Sequence, residues 1–254
     1  MRVRLKRLED QVIVITGGAS GIGLATARRA AARGARVVVT SRDQEDLDDA
    51  VVEIDEIERH GGRTLPVVAD VTVPSQVEEV ARLAVHTYDR IDTWVNNAGV
   101  SFLGRLMEAP LEDMRRVFEL NFWGTVYGSR AAVPHLRRQG GALINIGSVL
   151  SGRPVPLQGA YAASRQAVKG FTDALRVELE DEGAPVSVTL IKPSSAAMPG
   201  PGYDPEMAAE AILAAAERPV RELAIGPAGR LLAFAAAGIG LAAFAGVRAL
   251  KRAG

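Results

Sequence analysis

The sequence predicts an α/β fold in which helices cover both faces of a parallel sheet, the doubly wound arrangement. Apolar β-branched runs alternate with helical stretches through the first half of the chain, as a parallel sheet requires when each crossover is a helix. The first run opens through a glycine-rich turn directly onto a helix. The 254 residues are 48% hydrophobic and 24% charged, an ordinary globular composition, and α/β folds of that size are routinely single domains.

The first unit organises the rest. Val12-Ile13-Val14-Ile15 reads as a strand, Thr16-Gly17-Gly18-Ala19-Ser20-Gly21-Ile22-Gly23 as a turn, and Leu24 to Arg33 as a helix. In that context a glycine motif means phosphate binding. Gly17 permits a sharp turn because it lacks Cβ. Gly21 lets the backbone lie against a pyrophosphate, and Gly23 lets the helix pack close to the strand. The open N–H groups at the helix start then face the anion, as does the positive end of the helix dipole.

Arg36 to Thr40 makes a second strand, and Asp43 to His60 a charged helix stopped by Gly61-Gly62. Thr64 to Ala69 is a third strand, and Val73 to Tyr88 a third helix with Pro74 at its start. Ile91 to Asn96 forms a fourth strand and ends in Asn96-Asn97-Ala98-Gly99. Leu111 to Arg138 carries a long helical pattern containing Asn121, interrupted by Gly124 and Gly128, with Pro134 predicting a kink or an early stop. Gly141 to Gly147 is a fifth strand that delivers Ser148 to the C-terminal edge of the sheet, where such folds hold their ligands. Tyr161-Ala162-Ala163-Ser164-Arg165 opens a helix to about Glu182, with Tyr161 and Arg165 on one face. Val186 to Ile191 and Glu222 to Gly226 complete about seven strands, with a helix from Asp204 to Glu217 between them. The expected organisation is one domain over residues 1–229 and an apolar helical tail over 230–254.

The end of the second strand bears on cofactor choice. Folds that prefer NAD usually carry an acid there, bonding the ribose hydroxyls. Here the strand runs out as Thr40-Ser41-Arg42, and the first acid is Asp43. A guanidinium can clamp a 2′-phosphate with parallel hydrogen bonds, so Arg42 favours NADP(H), with NAD(H) as the alternative that Asp43 leaves open. Asp70, followed by Val71, is placed either to bond an adenine amino group or to make a turn or cap.

Composition removes other classes. Thirty basic residues balance thirty acidic ones, so no global field attracts nucleic acid. There is no cysteine, hence no disulfide framework or thiolate metal site. His60, His86 and His135 lack zinc-ligand spacing, and no metal is expected. The basic N-terminus (Arg2, Arg4, Lys6, Arg7) is not followed by an apolar signal segment, which favours a cytoplasmic protein. In the tail, Leu231 to Val247 is apolar between basic flanks. At about 1.5 Å per residue it barely approaches a bilayer core of about 30 Å. Packing on protein and peripheral membrane contact are both open to it.

Taken together, Thr16 to Gly23, Asn96 to Gly99, Asn121, Ser148 and Tyr161 resemble the short-chain dehydrogenase/reductase family in order and spacing over roughly the first 195 residues. The resemblance implies a Rossmann-type fold, a nicotinamide cofactor, and interconversion of alcohols with ketones or aldehydes. It implies Tyr161 as general acid–base, Ser148 bonding the substrate oxygen, and Asn121 holding a proton-relay water. Asn97, Ala98 and Gly99 would flank the adenine-side ribose. The implied cofactor set is Gly17, Ser20, Gly21, Ile22, Gly23, Ser41, Arg42, Asp70, Val71, Asn97, Ala98, Gly99, Tyr161, Arg165 and Pro193. The family commonly forms dimers or tetramers through the helices that hold Asn121 and Tyr161.

Two departures stand out. The family motif is Tyr-x-x-x-Lys, and this chain has Arg165 in the lysine position. Arginine keeps the charge that supports a phenolate, but not the compact ammonium geometry or the ability to pass a proton. Lys169 lies roughly 6 Å farther along the helix and is a poor substitute. The second departure is Lys192-Pro193-Ser194 where the family commonly has Pro-Gly. After it, Ser194 to Tyr203, with Pro199, Gly200, Pro201 and Gly202, is too short and broken for a lid helix. The leading expectation is an NADP(H)-dependent oxidoreductase of small alcohols or carbonyl compounds. The alternatives are a cofactor-binding pseudoenzyme and a membrane-associated interaction protein acting through its tail.

Overall fold

The computed structural model describes residues 3–56, 64–151, 156–193 and 204–225. The expected helix stop at Gly61-Gly62, the segment Ser194 to Tyr203 and the tail from residue 230 lie outside the described residues. Within them, seven strands form one parallel sheet: β1 (Val12–Ile15), β2 (Arg36–Ser41), β3 (Thr64–Val68), β4 (Thr93–Asn96), β5 (Gly141–Ile146), β6 (Val186–Pro193) and β7 (Glu222–Ile225). Their order is β3-β2-β1-β4-β5-β6-β7. The helices are α1 (Gly21–Ala32), α2 (Gln44–Asp55), α3 (Pro74–Tyr88), α4 (Leu111–Phe118), α5 (Gly124–Gln139), α6 (Gly159–Asp181) and α7 (Pro205–Glu217).

Alternation along each strand separates two cores. Ile13, Ile15, Val37, Val39, Ile144 and Ile146 pack with α1, α2 and α7 on one face. Val12, Val14, Val38, Trp94 and Leu143 pack with α3, α5 and Leu179 of α6 on the other. Because both faces are covered, β1, β4 and β5 are buried at every position. This is why the strands read as continuous apolar runs.

Several boundaries differ from expectation, each for a local reason. Strand β4 begins at Thr93, not Ile91, because the Asp92 carboxylate replaces a ladder partner by accepting the Val12 N–H at 2.9 Å. Helix α2 starts one residue after Asp43, whose carboxylate caps it by accepting the Glu45 and Asp46 N–H groups. Strand β6 extends to Pro193 because β7 pairs alongside, Lys192 with Ala224 and Pro193 with Ile225.

The long helical pattern from Leu111 is three pieces. Between α4 and α5 lies one turn of π-helix, Glu119–Trp123, in which the Gly124 N–H reaches back to the Glu119 carbonyl. Pro134 does not stop α5, which continues to Gln139. The carbonyl that a proline leaves without a partner is four residues back, on Arg130, which is exposed. Buried Val133 and Leu136 hold the last turn. Gly128 permits a close approach: a Cβ there would overlap Oδ1 of Asn96. Asn96 ties the sheet to α5 through Ser129 and to β5 through Asn145, which in turn donates to Thr172 of α6.

Candidate active site

The candidate site lies at the C-terminal edge of β1, β4, β5 and β6, where the glycine turn, Asn97, Ser148 and Pro193 emerge. The glycine turn is shaped by backbone that side chains disfavour: Gly17 has φ +62° and Gly21 φ +52°. A Cβ on Gly17 would come within 2.9 Å of the Ala98 backbone. A Cβ on Gly23 would collide with the Gly17 carbonyl and lie 2.6 Å from Nδ2 of Asn97. Its tight contacts are with the turn itself and with the residue that follows β4.

Thr16 and Asn97 lock that turn. Thr16 Oγ1 accepts the Asn97 and Ala98 N–H groups at 3.0 and 3.2 Å. Asn97 Nδ2 donates to the Thr16 and Gly17 carbonyls at 3.0 and 2.9 Å. Ser20 precedes α1 without a side-chain cap on its first N–H groups. This leaves the positive end of the helix available to an anion. Ile22 is buried beneath it.

At the end of β2, Arg42 is exposed. Asp43 is otherwise engaged: its carboxylate caps α2 and its N–H donates to Ser41 Oγ at 3.2 Å. Asp70 makes a turn, with Oδ1 accepting both the N–H and the hydroxyl of Thr72. Val71 is buried against the start of α5 at Gly124.

The chemical end is built by the π-turn, the end of β5 and the first turns of α6. Ser148 is buried, and its Oγ accepts the Leu150 N–H at 3.1 Å. The Pro193 carbonyl accepts from Val149 at 3.2 Å, which joins this loop to β6. Tyr161 is 1% exposed, and its hydroxyl is buried without a hydrogen-bond partner. No hydrogen bond joins it to Ser148.

Arg165 is 3% exposed and packs its guanidinium over the Tyr161 ring, 5.4 Å from the ring centre. Nη1 donates to the Ile146 carbonyl at 2.8 Å, while Nε is buried without a partner. A Cβ on Gly99 would overlap Nη2 of Arg165 and lie 2.7 Å from Asn121 Oδ1, so glycine there makes room for the wide guanidinium. Lys169 is turned elsewhere, paired with Asp173 and, at 3.8 Å, Glu222. The Asp173 hydrogen bond raises its pKa above the ordinary lysine value.

The Asn121 side chain is engaged at both ends. Oδ1 accepts the Val100 N–H at 2.8 Å, and Nδ2 donates to the Val100 carbonyl and to Ser164 Oγ at 2.9 and 3.0 Å. The Asn121 carbonyl accepts the Thr125 hydroxyl at 2.8 Å. Reading residue patterns alone missed Ser164 and the role of Thr16. Each sits inside a motif already singled out, and Ser164 lies three residues from Tyr161, on the same helix face. Among the described residues no cluster of His, Cys, Asp or Glu could hold a metal.

The short chain dehydrogenase family model matches residues 11–199. The chain is 46% identical over 251 residues to the uncharacterized oxidoreductase YxnA of Bacillus subtilis (strain 168), covering 91% of this chain and 70% of that protein. It is 34% identical to 11-beta-hydroxysteroid dehydrogenase 1A of Arabidopsis thaliana, over 74% of this chain and 53% of that one. Among solved structures, it is similar to an alcohol dehydrogenase from Thermococcus sibiricus complexed with 5-hydroxy-NADP, with a TM-score of 0.76 and 26% identity over 85% of this chain and 96% of that one. A metagenomic short-chain oxidoreductase in complex with NADP gives a TM-score of 0.75 and 29% identity over the same shares. The family model over residues 11–199, the parallel sheet and these likenesses together make the chain an oxidoreductase of the short-chain dehydrogenase/reductase family, with a nicotinamide cofactor.

Proposed function

We propose that the protein is an NADP(H)-dependent oxidoreductase that interconverts an alcohol with a ketone or aldehyde, with Tyr161 as the general acid–base. The observation that carries this reading is the buried Tyr161 hydroxyl, which has no partner, beside an arginine whose Nε is equally unpartnered. A buried polar group without a partner costs about 1–3 kcal/mol, so two in one place suit a site completed by a ligand. The cradle of Gly17, Gly21 and the α1 start fits a dinucleotide pyrophosphate. When bound, the nicotinamide supplies or accepts the hydride.

The protein residues then manage the oxygen and its proton. In the reducing direction Tyr161 donates its phenolic proton to the oxygen as negative charge develops there, and in the oxidising direction it takes that proton back. The Ser148 hydroxyl already accepts one hydrogen bond and has its hydrogen to offer the same oxygen. Arg165 holds a permanent positive charge against the phenol ring.

NADP(H) is favoured by Arg42, exposed at the end of β2, and by the commitment of Asp43 to capping α2. Self-association as a dimer or tetramer belongs to the same reading and is supported by Leu111, Trp123 and Val177, large apolar side chains exposed on α4, the π-turn and α6. No helix among the described residues is long and apolar enough to cross a membrane.

A cofactor-binding protein without turnover is the second reading, favoured by the bond that draws the Arg165 guanidinium to Ile146. One experiment separates the two: purified protein is mixed with NADPH and a panel of ketones and aldehydes, with binding and oxidation followed together. Carbonyl-dependent oxidation is expected. Binding without oxidation favours the second reading, and failure to bind either nicotinamide nucleotide contradicts both.

A further inference from the structure

We infer that Ser164 is a positioning residue for Tyr161, joining the phenol's helix turn to the π-turn and to the loop after β4. The inference rests on the proposed role of Tyr161. Ser164 is fully buried. Its Oγ donates to the Tyr161 carbonyl at 2.8 Å and accepts from Asn121 Nδ2 at 3.0 Å. Asn121 clasps the Val100 backbone with its remaining donor and its acceptor. One hydroxyl therefore links three segments that are far apart in sequence: the loop from Asn97 to Val100, the π-turn, and the start of α6.

Each group in this bridge has little slack. The amide of Asn121 has two N–H bonds to give, and Val100 and Ser164 take them. The π-turn matters because it is the irregular step between α4 and α5, and it brings the Asn121 amide within reach of both Val100 and α6. Arg165 follows Ser164 directly, so the same link also sets where the guanidinium meets Gly99 and the Ile146 carbonyl. Removing the hydroxyl leaves one buried Asn121 N–H without an acceptor. It also frees the first turn of α6 to shift relative to the loop. A shift of about 1 Å at a reacting group can lower turnover roughly a hundredfold.

The test compares wild type, Ser164→Ala and Ser164→Thr in steady-state turnover of NADPH with a carbonyl substrate of the wild type, with NADPH affinity and Tm measured alongside. For Ser164→Ala, kcat falls roughly 10- to 100-fold, while NADPH affinity and carbonyl KM stay within about twofold. Ser164→Thr, which keeps the hydroxyl, recovers most of kcat. In a cycle with Asn121→Ala, the double variant is no slower than the slower single one, because both substitutions cut the same bridge.

An alanine variant with wild-type kcat, or losses that multiply in the cycle, would overturn the inference while leaving the oxidoreductase reading intact. Parallel losses of kcat and Tm in both serine variants would reduce Ser164 to packing, again without touching that reading. A wild type that binds NADPH but turns over no carbonyl overturns both.

Discussion

At position 165 a guanidinium stands where the family motif has an ammonium, and its surroundings show what the exchange does. The charge stays against the Tyr161 ring, 5.4 Å from its centre, but the head is anchored to the Ile146 carbonyl. A lysine there is shorter and carries its three donors at one point. Arg165→Lys should therefore raise kcat, by about tenfold if a compact ammonium not tied to the Ile146 carbonyl is what arginine lacks. An unchanged or slower variant would show that arginine is the fitted residue. At the other end of the site, Arg42→Ala should weaken NADPH binding about 10- to 100-fold, the scale of a lost charge-assisted bond to phosphate, while NADH changes little. Titration of both nucleotides measures this, and equal losses would remove the argument for NADP(H).

At the scale of elements, the strands were the legible part, because a sheet buried on both faces demands uninterrupted apolar, β-branched runs such as Val12 to Ile15. The π-turn was not legible. A single i→i+5 turn offsets the apolar face by one residue, a shift hard to read in a pattern already interrupted by Gly124 and Gly128, and no side chain marks it. Of the two outcomes Pro134 predicts, the early stop does not occur: a proline signals a broken bond but says nothing of whether packing by Val133 and Leu136 keeps the helix going. Helices α1 and α7, distant in sequence, are joined by Arg29 and Arg33 with Glu206 and Glu210. The Arg33 hydrogen bond, reinforced by Arg29, holds the Glu210 pKa below the ordinary carboxylate value. A depressed acid contributes stability above its unfolded pKa, about 4.3, and loses it as pH falls through the folded value. These side chains are about two-fifths exposed, so solvent screening keeps the effect small. Glu210→Gln should cost about 0.5 kcal/mol at neutral pH, and denaturant unfolding should show the gap from wild type closing below about pH 4.

Across the whole molecule, most candidate positions were readable because they follow a strand end or open a helix; Asn121, inside the π-turn between α4 and α5, does neither. The connections among these residues were not readable. That Thr16 and Asn97 brace one another and that Asn121 is bonded at both ends depend on distances between segments that no spacing along the chain encodes. The topology sets those distances: β1, β4, β5 and β6 lie side by side in register, so the glycine turn, Asn97, Ser148 and Pro193 share one edge. The central claim is that this edge presents a phenol as the proton donor beside a bound nicotinamide. Its most direct test is carbonyl-dependent NADPH oxidation by wild type and Tyr161→Phe, with NADPH affinity measured on both. The account predicts a loss of at least about a hundredfold in turnover with affinity nearly unchanged; a phenylalanine variant that oxidises NADPH as fast as wild type would contradict it.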